Sequence, residues 1–312
     1  MNRAERFRPF SFLRMQKPTP LVLLAGLLLA GVIVSHAQTA AGTAQESPPD
    51  SFVYEQVGGH DLKVYVFEPA KTDYRRPRAA VLVFHGGGWN AGSAEWTFGQ
   101  ARHFASLGLV GISVEYRLSD GQAVTPFDAV EDAKAAVRWA RGRAGVLNID
   151  SKKIAVYGES AGGLLAAATA ITSDSPSKEE LNSVPNAVAL LSPALNIEQN
   201  ERFKKLAGTR QDVASISPMQ HVRANMPPTI ILTGELDTLS PSTPLIDFCE
   251  KMKQAHNRCE LQFFLGVGHM LEPPPKQGAN SGSASKARYD AFLKLDQFLL
   301  SLGFLQKESQ KN

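Results

Sequence analysis

From about residue 51 onward the sequence predicts an α/β fold, a single mostly parallel eight-stranded sheet with helices packed on both faces. Three observations predict it. Short β-rich runs alternate with segments of helical periodicity along nearly the whole chain. The run Ala79 to His85 is apolar at almost every position, as a strand covered on both faces requires. Glycine-rich turns then follow strand ends at Gly86 to Gly88 and at Gly158 to Gly163. With 312 residues, 43% hydrophobic and 20% charged, the chain is long and apolar enough for a large core. That composition excludes a disordered tail, a coiled coil or a collagen.

The first 37 residues read as an export signal, not as part of the fold. Arg3, Arg6, Arg8, Arg14 and Lys17 stand against a single acid, Glu5, and Leu21 to Val34 is an uncharged apolar run of 14 residues. Ser35-His36-Ala37 offers small residues where a signal peptidase looks, so cleavage after Ala37 is expected. The run is shorter than the roughly 20 residues of a membrane span, which makes an uncleaved anchor the alternative. The expected location is therefore outside the cytoplasm, periplasmic or secreted. Losing five positive charges and one negative takes the formal balance from +3 to −1. No basic face for nucleic acid is implied.

Residues 38–50 are rich in Ala, Thr, Ser and Pro and read as a flexible linker; the domain proper is expected over 51–306. Phe52 to Val57 and Leu62 to Glu68 flank Gly58-Gly59 and predict a hairpin. After the strand Ala79 to His85, strands are expected at Leu109 to Tyr116, Lys153 to Tyr157, Ala187 to Leu191, Thr229 to Thr233 and Glu260 to Leu265. Phe127, Val130, Ala133, Val137 and Ala140 recur at helical spacing, as do Phe292, Leu295, Leu299 and Leu302. Ser281 to Ser285 reads as a solvated loop before the last helix. The segment from Ala194 to Met226 has no assignable pattern and room for a small cap. Cys249 and Cys259 lack the spacing of a zinc or redox site; a bridge between them is open, since one falls in a predicted helix and the other at a strand start.

Gly158-Glu159-Ser160-Ala161-Gly162-Gly163 carries the strongest chemical signal. Placed between a strand and a small-residue helix, this G-x-S-x-G pattern is a tight turn that lifts a serine hydroxyl clear of the backbone. Ser160 is the candidate nucleophile. His85-Gly86-Gly87-Gly88-Trp89 ends the buried strand and presents backbone N–H groups. Gly87 and Gly88, with Ala161 at its helix start, are the candidate oxyanion donors. His85 itself is expected to hold the glycine loop by hydrogen bonds, not to act as base or metal ligand. Trp89 is expected first as a core or cleft-wall aromatic, and is the candidate substrate-binding residue.

A serine hydroxyl needs a base held in the right tautomer by an acid. Of seven histidines, His269 follows a strand through Gly266-Val267-Gly268, at the sheet edge where α/β folds bind ligands. Asp237, after Thr229 to Leu232, is the acid expected to orient it, with Glu235 as its rival. Chain order then reads Ser160, Asp237, His269.

On these residues the chain resembles the α/β-hydrolase superfamily, and within it the carboxylesterases related to hormone-sensitive lipase and the acetyl xylan and feruloyl esterase-like group. The resemblance also rests on Glu115-Tyr116-Arg117-Leu118 and on Asp132, whose matching position looks structural. It implies ester hydrolysis through an acyl-enzyme on Ser160, with no cofactor and no metal. Only about 35 residues separate Ser51 from His85, too few for a long helical cap, which favours the shorter esterase-like group and a short or absent cap. Met270 departs from the glycine frequent there and narrows the site. The expected substrates are short acyl esters, acetyl or feruloyl groups on carbohydrate; the alternatives are a peptidase or lipase of the same fold, or a non-catalytic binding protein. A small-molecule or carbohydrate ester is the expected partner. The sequence carries no indication of oligomeric state.

Overall fold

Eight strands form one sheet in the order β1-β2-β4-β3-β5-β6-β7-β8 in the computed structural model. The described residues are 48–69, 76–120, 123–171, 182–210, 212–273 and 281–306. The expected export signal, 1–37, and nearly all of the linker, 38–50, lie outside them. The strands are β1 (Asp50–Val57), β2 (His60–Phe67), β3 (Arg78–Phe84), β4 (Val110–Val114), β5 (Ile149–Glu159), β6 (Ala187–Leu191), β7 (Thr229–Gly234) and β8 (Cys259–Phe264). All eight coincide with predicted runs. β1 and β2 form the expected hairpin, with Gly58 and Gly59 both at positive φ as a two-residue turn demands. β2 joins β4 antiparallel, and every later pairing is parallel.

The helices are α1 (Phe98–Ser106), α2 (Pro126–Gly142), α3 (Ala161–Ile171), α4 (Glu201–Ala207), α5 (Ser242–Gln254) and α6 (Ser281–Ser301). Alternate residues of each buried strand point to opposite faces. Ala80, Leu82 and Phe84 of β3 therefore join Val130, Val137, Leu164 and Phe248 in one core, beneath α2, α3 and α5. Ala79, Val81 and Val83 join Phe104, Leu295 and Phe298 in the other, beneath α1 and α6. Burying one such Phe or Leu side chain contributes about 1.5–3 kcal/mol. α2 starts cleanly because Pro126 sits in its first turn and Thr125 and Asp128 form a reciprocal capping box.

Two readings change. Residues 281–285 are the first turn of α6, not a loop. Ala284, Ala287 and Ala291 are buried at helical spacing, and Gly and Ser cost little in a first turn, whose N–H groups have no helical acceptor in any case. Among its described residues the unassigned segment 194–226 holds α4 and three 3-10 turns, at 197–199, 213–216 and 218–220. Phe203 of α4 is buried against Trp89 and Phe127, so the segment is anchored beside the glycine loop. Among the described residues no helix is long and apolar enough to cross a membrane.

Cys249 of α5 and Cys259 of β8 are joined in a disulfide, their Cα atoms 5.3 Å apart. α5 and β8 run side by side after a short turn, so the ten-residue separation closes. Replacing both cysteines with Ala is expected to cost about 2–3 kcal/mol, the loop-closure value for so short a loop. Urea denaturation of the double variant against the oxidised parent measures it. A parent whose midpoint does not move on reduction overturns it.

Candidate active site

Ser160 stands at the tip of the turn from β5 to α3 with φ +52°, a left-handed conformation that a side chain rarely adopts. Glycines make it feasible. A Cβ on Gly158 would lie 2.1 Å from the Gly162 carbonyl oxygen, and one on Gly162 would lie 2.3 Å from the carbonyl oxygen of Phe84. Both positions exclude any side chain.

His269 follows β8 in a short 3-10 turn, and its Nε2 lies 2.9 Å from Ser160 Oγ. On its other side Nδ1 donates to Asp237, 3.0 Å from Oδ2 and 3.1 Å from Oδ1. A carboxylate only accepts, so the proton is on Nδ1 and Nε2 is free to take the serine proton. Asp237 is buried beyond β7 and accepts further bonds on Oδ1 from the N–H groups of Leu239 (3.0 Å) and Ser240 (2.8 Å). Burial pushes this carboxyl up, but the bond from His269 and the Ser240 N–H outweigh it and hold Asp237 below the usual carboxylate range. Glu235, the rival acid, is exposed and faces the Gly266 N–H instead.

Gly87 at φ +120° and Gly88 at φ +60° shape the loop after β3. Their N–H groups and that of Ala161, the first residue of α3, have no acceptor among the described residues. These residues line the same cleft as Ser160 and His269. His85 braces the loop as expected. Its Nδ1 lies 2.6 Å from the Gly86 carbonyl oxygen, its ring stacks on Tyr116 at 4.2 Å, and Tyr116 Oη donates to the His85 carbonyl oxygen at 2.8 Å. Burial pushes His85 below the ordinary histidine range and keeps it neutral.

Trp89 is largely a core residue, 2% exposed and edge-on to Phe203, and gives the cleft little surface. Trp96, 61% exposed, and Leu239, 67% exposed, line the same cleft and give it more open apolar surface. The sequence reading missed Trp96 because no motif surrounds it. Ser192 and Ser240 were also missed. Met270 N donates to Ser192 Oγ at 3.0 Å and Ser240 Oγ to the Ser192 carbonyl at 2.6 Å, which ties the loops after β6, β7 and β8 together. The Asp237-x-x-Ser240 spacing, an Asx-type turn, was the available signal for Ser240. Glu159 points away from Ser160 and accepts from Tyr157 Oη (2.8 Å) and Gln100 Nε2 (2.7 Å), and burial raises its carboxyl above the usual range. Among the described residues no group of three or more His, Cys, Asp or Glu side chains could hold a metal ion.

A family model for the alpha/beta hydrolase fold matches residues 81–272, well over half of the chain. The chain belongs to the α/β-hydrolase family. This hydrolase superposes on esterase 2 of Thermogutta terrifontis with a TM-score of 0.73 and 34% identity, over 84% of its own length and 97% of that enzyme's. It is 26% identical to an ethyl acetate hydrolase of Pseudomonas putida over 68% of its own length and 71% of the relative's. To an arylesterase of Saccharolobus solfataricus it is 40% identical over 36% of its length, a match that spans about a third (35%) of that relative. Within the family the hydrolase stands with the carboxylesterases.

Proposed function

We propose that this α/β hydrolase is a serine carboxylesterase of short acyl esters, with Ser160, His269 and Asp237 as its catalytic triad. The observation that carries the proposal is the unbroken chain from Ser160 Oγ through both nitrogens of His269 to Asp237, beside a loop of unengaged N–H groups. His269 takes the proton as Ser160 Oγ attacks the ester carbonyl, and the oxyanion meets the N–H groups of Gly87, Gly88 and Ala161. Each such donor contributes about 3–4 kcal/mol at the transition state. Asp237 stabilises the imidazolium, which then protonates the leaving alcohol; water repeats the steps on the acyl-serine and releases the acid.

Met270 and Trp96 line the cleft of about 560 Å³ beside Ser160, and short acyl groups are the proposed fit. The Thermogutta esterase is known with propionate and with butyrate bound, which supports the same size class here. Acetyl or feruloyl groups on carbohydrate are the proposed natural substrates, on the strength of an N-terminal segment that reads as an export signal. Hydrolysis of 4-nitrophenyl esters from acetate to palmitate tests the reading. Acetate to butyrate is expected to exceed decanoate and longer chains by at least about tenfold in kcat/KM, since each added methylene beyond the pocket forfeits contact. A maximum at long chains would point to a lipase; no turnover on any ester would leave a binding protein or a peptidase.

A further inference from the structure

We propose that Arg202 makes this cleft selective for esters that carry a carboxylate close to the scissile bond. The inference rests on the esterase reading and goes beyond it by naming the charge of the substrate. Arg202 is the second residue of α4, in the segment where the sequence showed no pattern, and it lines the cleft with Ser160, His269 and Gly86 to Gly88. Its guanidinium lies flat against the glycine loop. A Cβ on Gly88 would meet Arg202 Cζ and Nε at 2.7 Å, so the charge sits one residue's width from the candidate oxyanion donors. Gly88 is glycine for its positive φ, +60°.

The charge lacks a counter-ion among the described residues. Arg202 Nη2 donates to the Asn90 side-chain oxygen at 2.6 Å, a neutral acceptor that fixes the direction of the fork. The neighbouring acid, Glu201, is engaged by Lys204 at 2.8 Å. Glu159, which also borders the cleft, is held by Tyr157 and Gln100. A guanidinium has five N–H donors in one plane, and one bond to Asn90 leaves an edge for a bidentate carboxylate. Phe203, the next residue, is buried against Trp89, so the backbone that carries Arg202 is anchored. A positive group aimed into a catalytic cleft, oriented by a neutral partner and otherwise unpaired, is suited to an anionic substrate.

The carboxylate could belong to either side of the ester. On the acyl side it is the free end of a dicarboxylic monoester; on the alcohol side it is a uronic acid that bears the acyl group. Two matched pairs separate them: monoethyl succinate against ethyl pentanoate, and acetylated glucuronic acid against its primary amide, with ethanol or acetate release measured. For each pair the readout is the ratio of kcat/KM for the charged to the neutral ester, in the parent, Arg202→Gln and Arg202→Lys. The expected result is a ratio at least tenfold lower in Arg202→Gln for one pair, with partial recovery in Arg202→Lys, which keeps the charge without the fork. In the parent the same ratio should fall as ionic strength rises from about 0.02 to about 0.5 M, because an exposed pair is screened.

Ratios within twofold of the parent on both pairs, with no salt dependence in the parent, overturn the proposal. The salt series needs no variant and so decides even where Arg202→Gln does not fold. Calorimetric binding of the same four esters to Ser160→Ala, with and without Arg202→Gln, keeps the two readings apart. If the parent hydrolyses neither these nor the 4-nitrophenyl esters, the esterase reading fails, and tighter binding of the charged members that vanishes with Arg202→Gln still establishes the anion site.

Discussion

Ser160→Ala is expected to lower kcat/KM for 4-nitrophenyl butyrate by about five to six orders of magnitude, the loss typical when a serine nucleophile is removed. His269→Ala should cost about as much, and the double variant no more than either alone. The reason is geometric. Nε2 of His269 is useful only because Ser160 Oγ stands 2.9 Å away, so removing either partner removes the whole proton transfer, and effects that act as a unit do not add. Residual hydrolysis about a thousandfold above the uncatalysed rate should persist in all three, because the N–H groups of Gly87, Gly88 and Ala161 remain to meet a developing oxyanion. Stopped assays with each purified variant, compared with buffer, measure both effects. A Ser160→Ala protein that retains more than a hundredth of the parent activity would overturn the assignment of the nucleophile, and losses that multiply in the double variant would show that serine and histidine act separately.

The fold was legible because its signals are local. Eight strands could be read from apolar runs, and Gly158, Gly162 and the alternation around them mark a turn whose crowding is now seen as Cβ contacts with Gly162 and Phe84. That Ser160, Asp237 and His269 would meet is readable for the same reason: each follows a strand, and strand ends gather at one edge of a parallel sheet. The residues that escaped are those whose role depends on distant packing. Trp89 adjoins the glycine motif in sequence yet its ring turns to Phe203, whereas Trp96, in no motif, reaches the cleft mouth. Arg202 meets Gly88 across 114 positions of chain, and nothing local announces it. The sequence leaves the disulfide open because helix and strand patterns fix neither the turn after Gln254 nor the approach of Cys249 to Cys259. The first turn of α6 was misread because Ser and Gly are loop formers by frequency and tolerated helix starters by geometry.

Arg117→Ala is expected to destabilise the fold by about 3–5 kcal/mol, the largest stability change expected from one exchange outside the cores, because it leaves a buried carboxylate without its cation. Asp132 of α2 has no exposed side-chain surface and receives Arg117 through Nε at 3.0 Å, Nη2 at 2.6 Å and the Arg117 backbone N–H at 2.8 Å. Asp132→Asn should cost less, about 1–3 kcal/mol. It keeps the shape and removes the buried charge, while Arg117, 22% exposed, still reaches the side chain and carbonyl of Asp128. Burial raises the Asp132 carboxyl above its ordinary value, and the bonds from Arg117 pull it back; without Arg117 it rises further. A carboxyl whose folded value exceeds its unfolded value, about 3.9, binds more protons in the folded state, so stability falls as pH rises between the two values. The deficit of Arg117→Ala is therefore expected to be smallest near pH 4 to 5 and to grow toward pH 8, and that of Asp132→Asn to lack this growth. Urea denaturation of both variants and the parent across that range decides it. A deficit in Arg117→Ala that shrinks as pH rises would mean that Asp132 finds another cation when Arg117 is gone.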